Sequence, residues 1–193
     1  MLDFLIKYRG IFVVLFVLPA SLLFKAYMGA RNRLVFWQNS APEKHDDKVK
    51  KVQQQVQAWQ QETGGDIPMC TARPGWQAMS LKQGNYKKTH YQVDVSLMDI
   101  LDINAEKGTL RVEPMANMGQ ISASLKPLGW SLAVVPELDA LTVGGLINGF
   151  GIESSSHKYG LFQHICESFE IVTADGELVK CSKDENAELY YAI

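Results

Sequence analysis

Five glycines fall within the twenty-six residues from Val135 to Gly160: Gly144, Gly145, Gly149, Gly151 and Gly160, with Ser154, Ser155 and Ser156 beside them. Glycine carries no Cβ, so the backbone can turn sharply and a ligand can come close to the main chain. Exposed backbone N–H groups and hydroxyls donate well to phosphate oxygens, and a helix N-terminus adds a favourable field. The chemistry such a segment serves is the holding of a diphosphate-bearing cofactor. Spacing alone also describes a glycine-rich turn in a β-domain, and on spacing alone that plainer reading leads. The segment is neither G-x-G-x-x-G nor a P-loop, so it lacks the fingerprints of a Rossmann dinucleotide site and of a nucleotide triphosphatase.

Other reactive side chains are scattered. Histidine suits acid–base work near neutrality, but nothing in the sequence sets His157 or His164 beside a reacting atom, so a structural or cofactor-contacting role leads for His157 and a packed place in the fold for His164. Glu153 could bond a ribose or hold the loop. Lys87 and Lys88 read first as a solvated edge and second as phosphate partners. Trp76 and Trp130 are expected in the core, with stacking on a ring system as the alternative. Cys70, Cys166 and Cys181 are far apart, odd in number and without CxxC spacing. That pattern argues against a disulfide framework or a metal site and for reduced, half-buried thiols. A formal net charge of -2 leaves no basic field for nucleic acid.

These residues need elements to position them. The chain has 193 residues, 47% hydrophobic and 21% charged, as in a packed globular protein with room for one domain and an appendage. Ser40-Ala41-Pro42-Glu43 reads as a helix start, and Val49, Val52, Val56 and Trp59 then mark one apolar helical face that Gly64-Gly65-Asp66 ends. From Pro68 the texture becomes short β-type runs: Val93, Val95 and Leu97, then Leu110 and Val112 after a turn at Lys107-Gly108. Met118 to Leu128 reads as a short helix, and Trp130 to Val135 as a strand. Phe169, Ile171 and Thr173 alternate before the turn Ala174-Asp175-Gly176, which predicts a hairpin with Leu178 and Val179. A last helix is expected from about Ser182 into Leu189, Tyr190 and Tyr191. The chain then stops on apolar side chains, as though interrupted.

The N-terminus is apolar from Ile11 to Phe24, fourteen uncharged residues between Lys7 and Arg9 on one side and Lys25, Arg31 and Arg33 on the other. A bilayer crossing takes about 20 residues, which snorkelling lysines and upstream apolar residues supply. The basic, bulky stretch after it argues for an uncleaved single-pass anchor over a signal peptide or a buried core helix. Charge asymmetry leans slightly toward a cytosolic body. Leu34 to Trp37 could lie at the membrane surface.

Thr142-Val143-Gly144-Gly145-Leu146-Ile147, Gly149, and Gly151-Ile152-Glu153-Ser154-Ser155-Ser156-His157-Lys158-Tyr159-Gly160 together resemble the flavin-binding segment of the Δ24-sterol reductases. These enzymes belong to the FAD-linked oxidases typified by vanillyl-alcohol oxidase. Cys70 to Trp76, Tyr86 to His90, Leu97 to Leu101, Arg111 to Pro114 and Leu161 to Cys166 carry the resemblance through nearly the whole chain. It implies an α+β fold: an N-terminal membrane helix followed by an incomplete FAD-binding domain of the FAD-linked oxidase (PCMH) type. The implied partition is an anchor over 1–33, an amphipathic helical linker over 34–66 and the FAD-binding domain over 67–193.

By the same resemblance FAD is cradled by Thr142, Val143, Gly144, Gly145, Leu146, Ile147, Asn148, Gly149, Phe150, Gly151, Ile152, Glu153 and Ser154, with Gly144 and Gly145 nearest the diphosphate. Where relatives carry an Arg-Gly-Gly-Gly-His type run, this chain has Arg73-Pro74-Gly75-Trp76. It therefore lacks the histidine to which some relatives attach flavin, and noncovalent FAD is expected. The implied activity is reduction of the C24–C25 side-chain double bond of a sterol by NADPH, at the endoplasmic-reticulum membrane. No proton donor is assigned, and a chain lacking the substrate domain is not expected to turn over alone. The alternatives are a noncatalytic membrane-anchored fragment or isoform, and another FAD-linked oxidase acting on a sugar lactone or alditol.

Overall fold

In a computed structural model, which describes residues 6–73 and 85–193, the apolar N-terminal run is helical from Arg9 to Asn39 (α1). Leucine, phenylalanine and alanine favour the helix, and its one proline is accommodated locally. Pro19 lies just beyond a wide π-turn at Val13–Val17, where a missing N–H is tolerated. α1 is long and apolar enough to cross a membrane, and none of its apolar window is buried. The helix continues past Arg33, so Leu34 to Trp37 are part of it, and Ser40 caps its C-terminus. Two compact units meet between Ser40 and Ala41.

The second unit begins with a 3₁₀ turn, Pro42–Lys44, that leads into α2 (His45–Thr63). Val49, Val52, Val56 and Trp59 are buried as their spacing predicts, against Val93 and Leu97. Residues 45–63 are thus packed into the body, with part of their polar face in solvent. Gly64 ends α2 at φ +63, its N–H donating to the Gln60 carbonyl at 3.0 Å, the left-handed stop that glycine favours.

Among the described residues the strands form three two-stranded sheets. β1 (Met69–Thr71) pairs in parallel with β2 (Tyr91–Val93). β3 (Ile100–Asn104) and β4 (Thr109–Val112) form an antiparallel hairpin with an irregularity between Ile100 and Asp102. β5 (Ser168–Val172) and β6 (Leu178–Ser182) form the hairpin read from the sequence. Its turn glycine, Gly176, has φ +81 and docks on α2, where Gln53 Nε2 donates to the Gly176 carbonyl at 2.8 Å.

α3 (Met118–Leu125) is opened by a capping box. Asn117 Oδ1 accepts from Gln120 N–H, and Gln120 Oε1 accepts from Asn117 N–H, both at 2.9 Å. The helix gives Met118, Ile121 and Leu125 to a core shared with Val134, Val143, Leu146 and Phe162. The run Trp130 to Val135 is not a strand. Val134 is fully buried, but Trp130 is about half exposed, so the stretch inserts single side chains into the core without pairing. The last helix, α6 (Ala187–Tyr191), starts later than expected because Ser182 still belongs to β6. The observed content is mixed α+β.

Candidate functional site

The glycine segment folds as a short helix, α4 (Val143–Asn148), followed by a loop and a second short helix, α5 (Ser156–Tyr159). Its start is tied to the chain that follows β4. Thr142 forms an isolated antiparallel bridge with Asn117. Val143 N–H donates to the Ala116 carbonyl at 2.9 Å and Gly144 N–H to the Pro114 carbonyl at 2.8 Å. Val143 and Leu146 are sunk in the core, so one side of α4 is fixed and the other faces outward.

The four glycines around α4 are not equivalent. A Cβ on Gly144 would lie 3.1 Å from Pro114 Cβ, and one on Gly149 would lie 2.7 Å from the Gly145 carbonyl oxygen. A Cβ on Gly151 would lie 2.8 Å from Phe162 Cβ and 3.0 Å from Leu146 Cδ2. These three are glycine because the protein packs on itself there. Gly145 differs: it is exposed, and its Cβ would touch only Thr142 Oγ1, at 3.1 Å. Among the described residues its N–H, third in the helix, has no acceptor. Among the described glycines of this segment, Gly145 is the one whose bare main chain offers a donor to something outside it.

The rest of the segment supports that opening. Gly149 N–H donates to Gly145 O at 2.9 Å and Gly151 N–H to Leu146 O at 3.1 Å. Between them Phe150 is held at φ +62, a left-handed conformation rare for a bulky residue, with its side chain 56% exposed. Ile152 is 76% exposed. Glu153 N–H donates to Ser156 Oγ at 3.0 Å.

Both histidines serve the local backbone. His157 Nδ1 donates to the Ser154 carbonyl at 2.7 Å, and His164 Nδ1 accepts from Leu161 N–H at 2.9 Å. His164 is exposed rather than packed, because that bond holds it at the rim of the turn beside Gly160. Lys87 donates to the Thr71 carbonyl and lies over the Tyr86 ring. Trp130 is at the surface near Gly108, a correction to its expected burial. Arg73 is described and half-buried, whereas Pro74, Gly75 and Trp76 lie outside the described residues.

Sequence reading missed what holds the floor of this site. Asp99 and Glu113 are 2% and 1% exposed. Lys48 Nζ reaches Asp99 Oδ2 at 2.5 Å and Glu113 Oε2 at 3.5 Å. His45 Nδ1 meets Glu113 Oε1 at 2.8 Å, and its Nε2 lies 3.7 Å from Glu170. Asp99 Oδ2 also accepts from Ala41 N–H, and Glu113 Oε2 from Asp99 N–H. Glu113 directly precedes Pro114, whose carbonyl receives Gly144, so this buried network fixes the strand end on which α4 is mounted. For Asp99 the sequence signal is an acid inside the apolar run Leu97 to Leu101; Glu113, between Val112 and Pro114 with Arg111 beside them, carries no comparable signal. A second missed feature is Gln163, whose Oε1 is buried with no partner among the described residues.

The residues fit FAD. From Thr142 to Ile152 the segment is uncharged, and Glu153 is the one carboxylate among the residues expected to cradle the cofactor. Gly145 carries an unobstructed donor, and Phe150 and Ile152 are exposed apolar side chains.

The sequence profile described as FAD binding domain matches residues 48–182. The chain is 53% identical over 189 residues to the Delta(24)-sterol reductase of Mus musculus, covering 98% of this chain and 36% of that protein. It is 46% identical over 201 residues to the Delta(24)-sterol reductase of Arabidopsis thaliana, covering 99% of this chain and 35% of that one. It therefore spans about a third of the length of these curated relatives. The crystal structure of 6-hydroxy-D-nicotine oxidase from Arthrobacter nicotinovorans matches in fold with a TM-score of 0.57, at 21% identity, over 75% of this chain and 30% of that one.

Proposed function

The chain belongs to the FAD binding domain family, and from that premise we propose that it is the anchored, flavin-holding portion of a Δ24-sterol reductase. The complete enzyme reduces the C24–C25 side-chain double bond of a sterol, with NADPH as reductant and FAD as carrier. One observation carries this reading: 53% identity to mouse Delta(24)-sterol reductase over 98% of the chain.

Thr142 to Ser154 hold FAD noncovalently. Gly145 N–H would donate to the diphosphate, Val143 and Leu146 pin α4 to the core, and Phe150 and Ile152 would shield the cofactor from water. When bound, FAD supplies hydride transfer between a nicotinamide and the alkene. His157 and His164 are assigned to holding the loop rather than to proton transfer, and the proton donor is not assigned to this chain. α1 keeps the body beside the bilayer in which a sterol dissolves. The proposed setting is a single pass in the endoplasmic-reticulum membrane with the body in the cytosol, the side where Lys25, Arg31 and Arg33 follow the apolar run. Residues up to Ser40 are the anchor and those from Ala41 the flavin domain, with α2 inside it.

The test has two stages. Detergent-solubilised chain is purified, its visible spectrum is recorded and FAD is titrated in. Saturable binding, weak and abolished by Gly145→Val, is expected; a folded sample with no saturable binding sinks the assignment of these residues as a cofactor site. The complete protein is then given NADPH and a Δ24 sterol. Gain of two hydrogens at C24–C25, seen by mass spectrometry, is expected. Oxidation of a sugar lactone or alditol instead would replace the sterol reading.

A further inference from the structure

One tip of the second unit carries apolar side chains that its core does not use. α3 runs into a 3₁₀ turn, Lys126–Leu128, closed by Gly129 at φ +75, whose N–H donates to the Lys126 carbonyl at 3.1 Å. Trp130 N–H then reaches back to the Leu125 carbonyl at 3.2 Å. Leu125 and Val134 supply the core at this end of the helix. Between them Leu128 stays 52% exposed and Trp130 49%, with Lys126 and Pro127 exposed beside them. The β3–β4 turn lies against the same tip. A Cβ on Gly108 would stand 3.9 Å from Trp130 Cζ3, so the indole leans on bare main chain next to Lys107, which is itself exposed.

The two described tryptophans of this unit differ in a way that points to a partner. Trp59 is buried, and its Nε1 donates to the Ile67 carbonyl at 2.6 Å. Trp130 Nε1 has no acceptor among the described residues. A half-exposed ring with an open N–H is satisfied at both ends where hydrocarbon meets headgroups. The charges agree. Lys107 and Lys126 flank the apolar pair from the two turns, and among the described residues neither meets a carboxylate, unlike Lys48 and Lys180. Glu106 shares the β3–β4 turn, but no Asp or Glu occurs from Pro114 to Pro136. An apolar tip with two cations and one acid around it suits an anionic lipid surface. A second copy meeting it by two-fold symmetry would bring like-charged rims together.

We propose that Leu128 and Trp130, with Lys107 and Lys126, form a second membrane contact through which the flavin-holding unit rests on an anionic lipid surface, an inference that rests on the reading of α1 as a membrane span. The span tethers the unit to a bilayer, and a tethered contact forms at high local concentration, so a small tip suffices. Each lysine near an anionic surface contributes about fivefold in association at low salt. Entry of Leu128 and the Trp130 ring into the interface adds an apolar share that salt does not screen.

The test reconstitutes the full chain, carrying fluorotryptophan, in vesicles of phosphatidylcholine and phosphatidylserine with a trace of lipid spin-labelled at the headgroup. The fluorine lines of Trp59 and Trp130 are assigned by Trp59→Phe and Trp130→Phe, and broadening by the label reads which indole lies at headgroup level. Trp130 is expected to broaden strongly and Trp59, buried in the same unit, to stay sharp. In dilute buffer, K107Q/K126Q should reduce the Trp130 broadening at least about threefold, and so should exchanging phosphatidylserine for phosphatidylcholine, which leaves the protein unaltered. A Trp130 line no broader than that of Trp59, in a chain that alkaline carbonate does not strip from the vesicles, overturns the contact alone. A Trp130 line shielded from a water-soluble relaxation agent only as protein density rises places a second copy on the tip and overturns it too. A chain stripped by alkaline carbonate overturns the span reading, and the tethered contact falls with it.

Discussion

Gly145→Ala separates the cofactor from the fold more cleanly than any other substitution in the segment. Gly145 is helical and exposed, so gaining a methyl group there should stabilise the helix by about 0.5–1 kcal/mol. The only opposing contact is with Thr142 Oγ1 at 3.1 Å, a side-chain atom that can rotate away. The folded chain should therefore melt at the same temperature or slightly higher. Bound FAD is affected in the opposite direction. A backbone N–H donating to a charged phosphate is worth about 1.5–3 kcal/mol, and a methyl beside it keeps the diphosphate out of range. FAD affinity should fall about 10- to 150-fold, since 1.4 kcal/mol is a decade. Gly151→Ala is the control: its Cβ would sit 2.8 Å from Phe162 Cβ, in a core where overpacking costs about 1–3 kcal/mol. Thermal melts together with fluorescence titration of FAD give both quantities. If Gly145→Ala binds FAD as tightly as the parent, or loses binding only because it unfolds, the reasoning about this position is refuted.

Lys48→Met leaves the carboxylates of Asp99 and Glu113 buried without their cation and should cost about 3–5 kcal/mol in urea denaturation; a loss below about 0.5 kcal/mol would show the network to be idle. Burial raises the Glu170 carboxyl, but hydrogen bonds from Arg111 and Lys180 outweigh it and hold the group below the ordinary carboxylate range. A depressed folded value means that stability is present above the ordinary value of 4.5 and is lost as pH falls through the lower one, so Glu170→Gln should flatten the acid limb of a pH–stability curve. The Cys166 thiol is pushed up to about 11 by burial, and Cys181 is raised by burial too. Cys70 should therefore take up iodoacetamide first at pH 8, as read by mass spectrometry of the intact and digested chain.

The local elements were legible because their signals are local. The apolar face of α2 and the alternation of the β5–β6 hairpin state their own period, and both formed as predicted. Trp130 to Val135 shows the limit: apolar residues in series describe a strand equally well whether or not a partner runs beside them. Here only Val134 enters the core fully. His164 reads as a packed histidine in the sequence, yet its Nδ1 is bound to a backbone N–H three residues away and it stays at the surface. The buried acids could not be assigned roles from sequence. Asp99 and Glu113 find Lys48 and His45 across 51 and 68 residues, and no local pattern pairs them.

The glycine segment shows a subtler limit. Its composition announced a place where backbone must come close to something, but not to what. Three of its glycines answer to the protein itself, Gly144 to Pro114, Gly149 to the Gly145 carbonyl and Gly151 to Phe162. The first of these contacts seats α4 against the strand end held by Glu113, and Gly145 then faces outward with its N–H uncommitted among the described residues. The glycine run and the buried ion network are thus one device. The charges fix the floor, the tight glycines let α4 settle on it, and the settled helix presents a single bare amide. It follows that damage to the floor should be felt at the cofactor. Lys48→Met, more than 90 residues away in sequence, should weaken FAD binding under conditions where the chain is still folded, whereas Gly145→Ala should leave the floor intact.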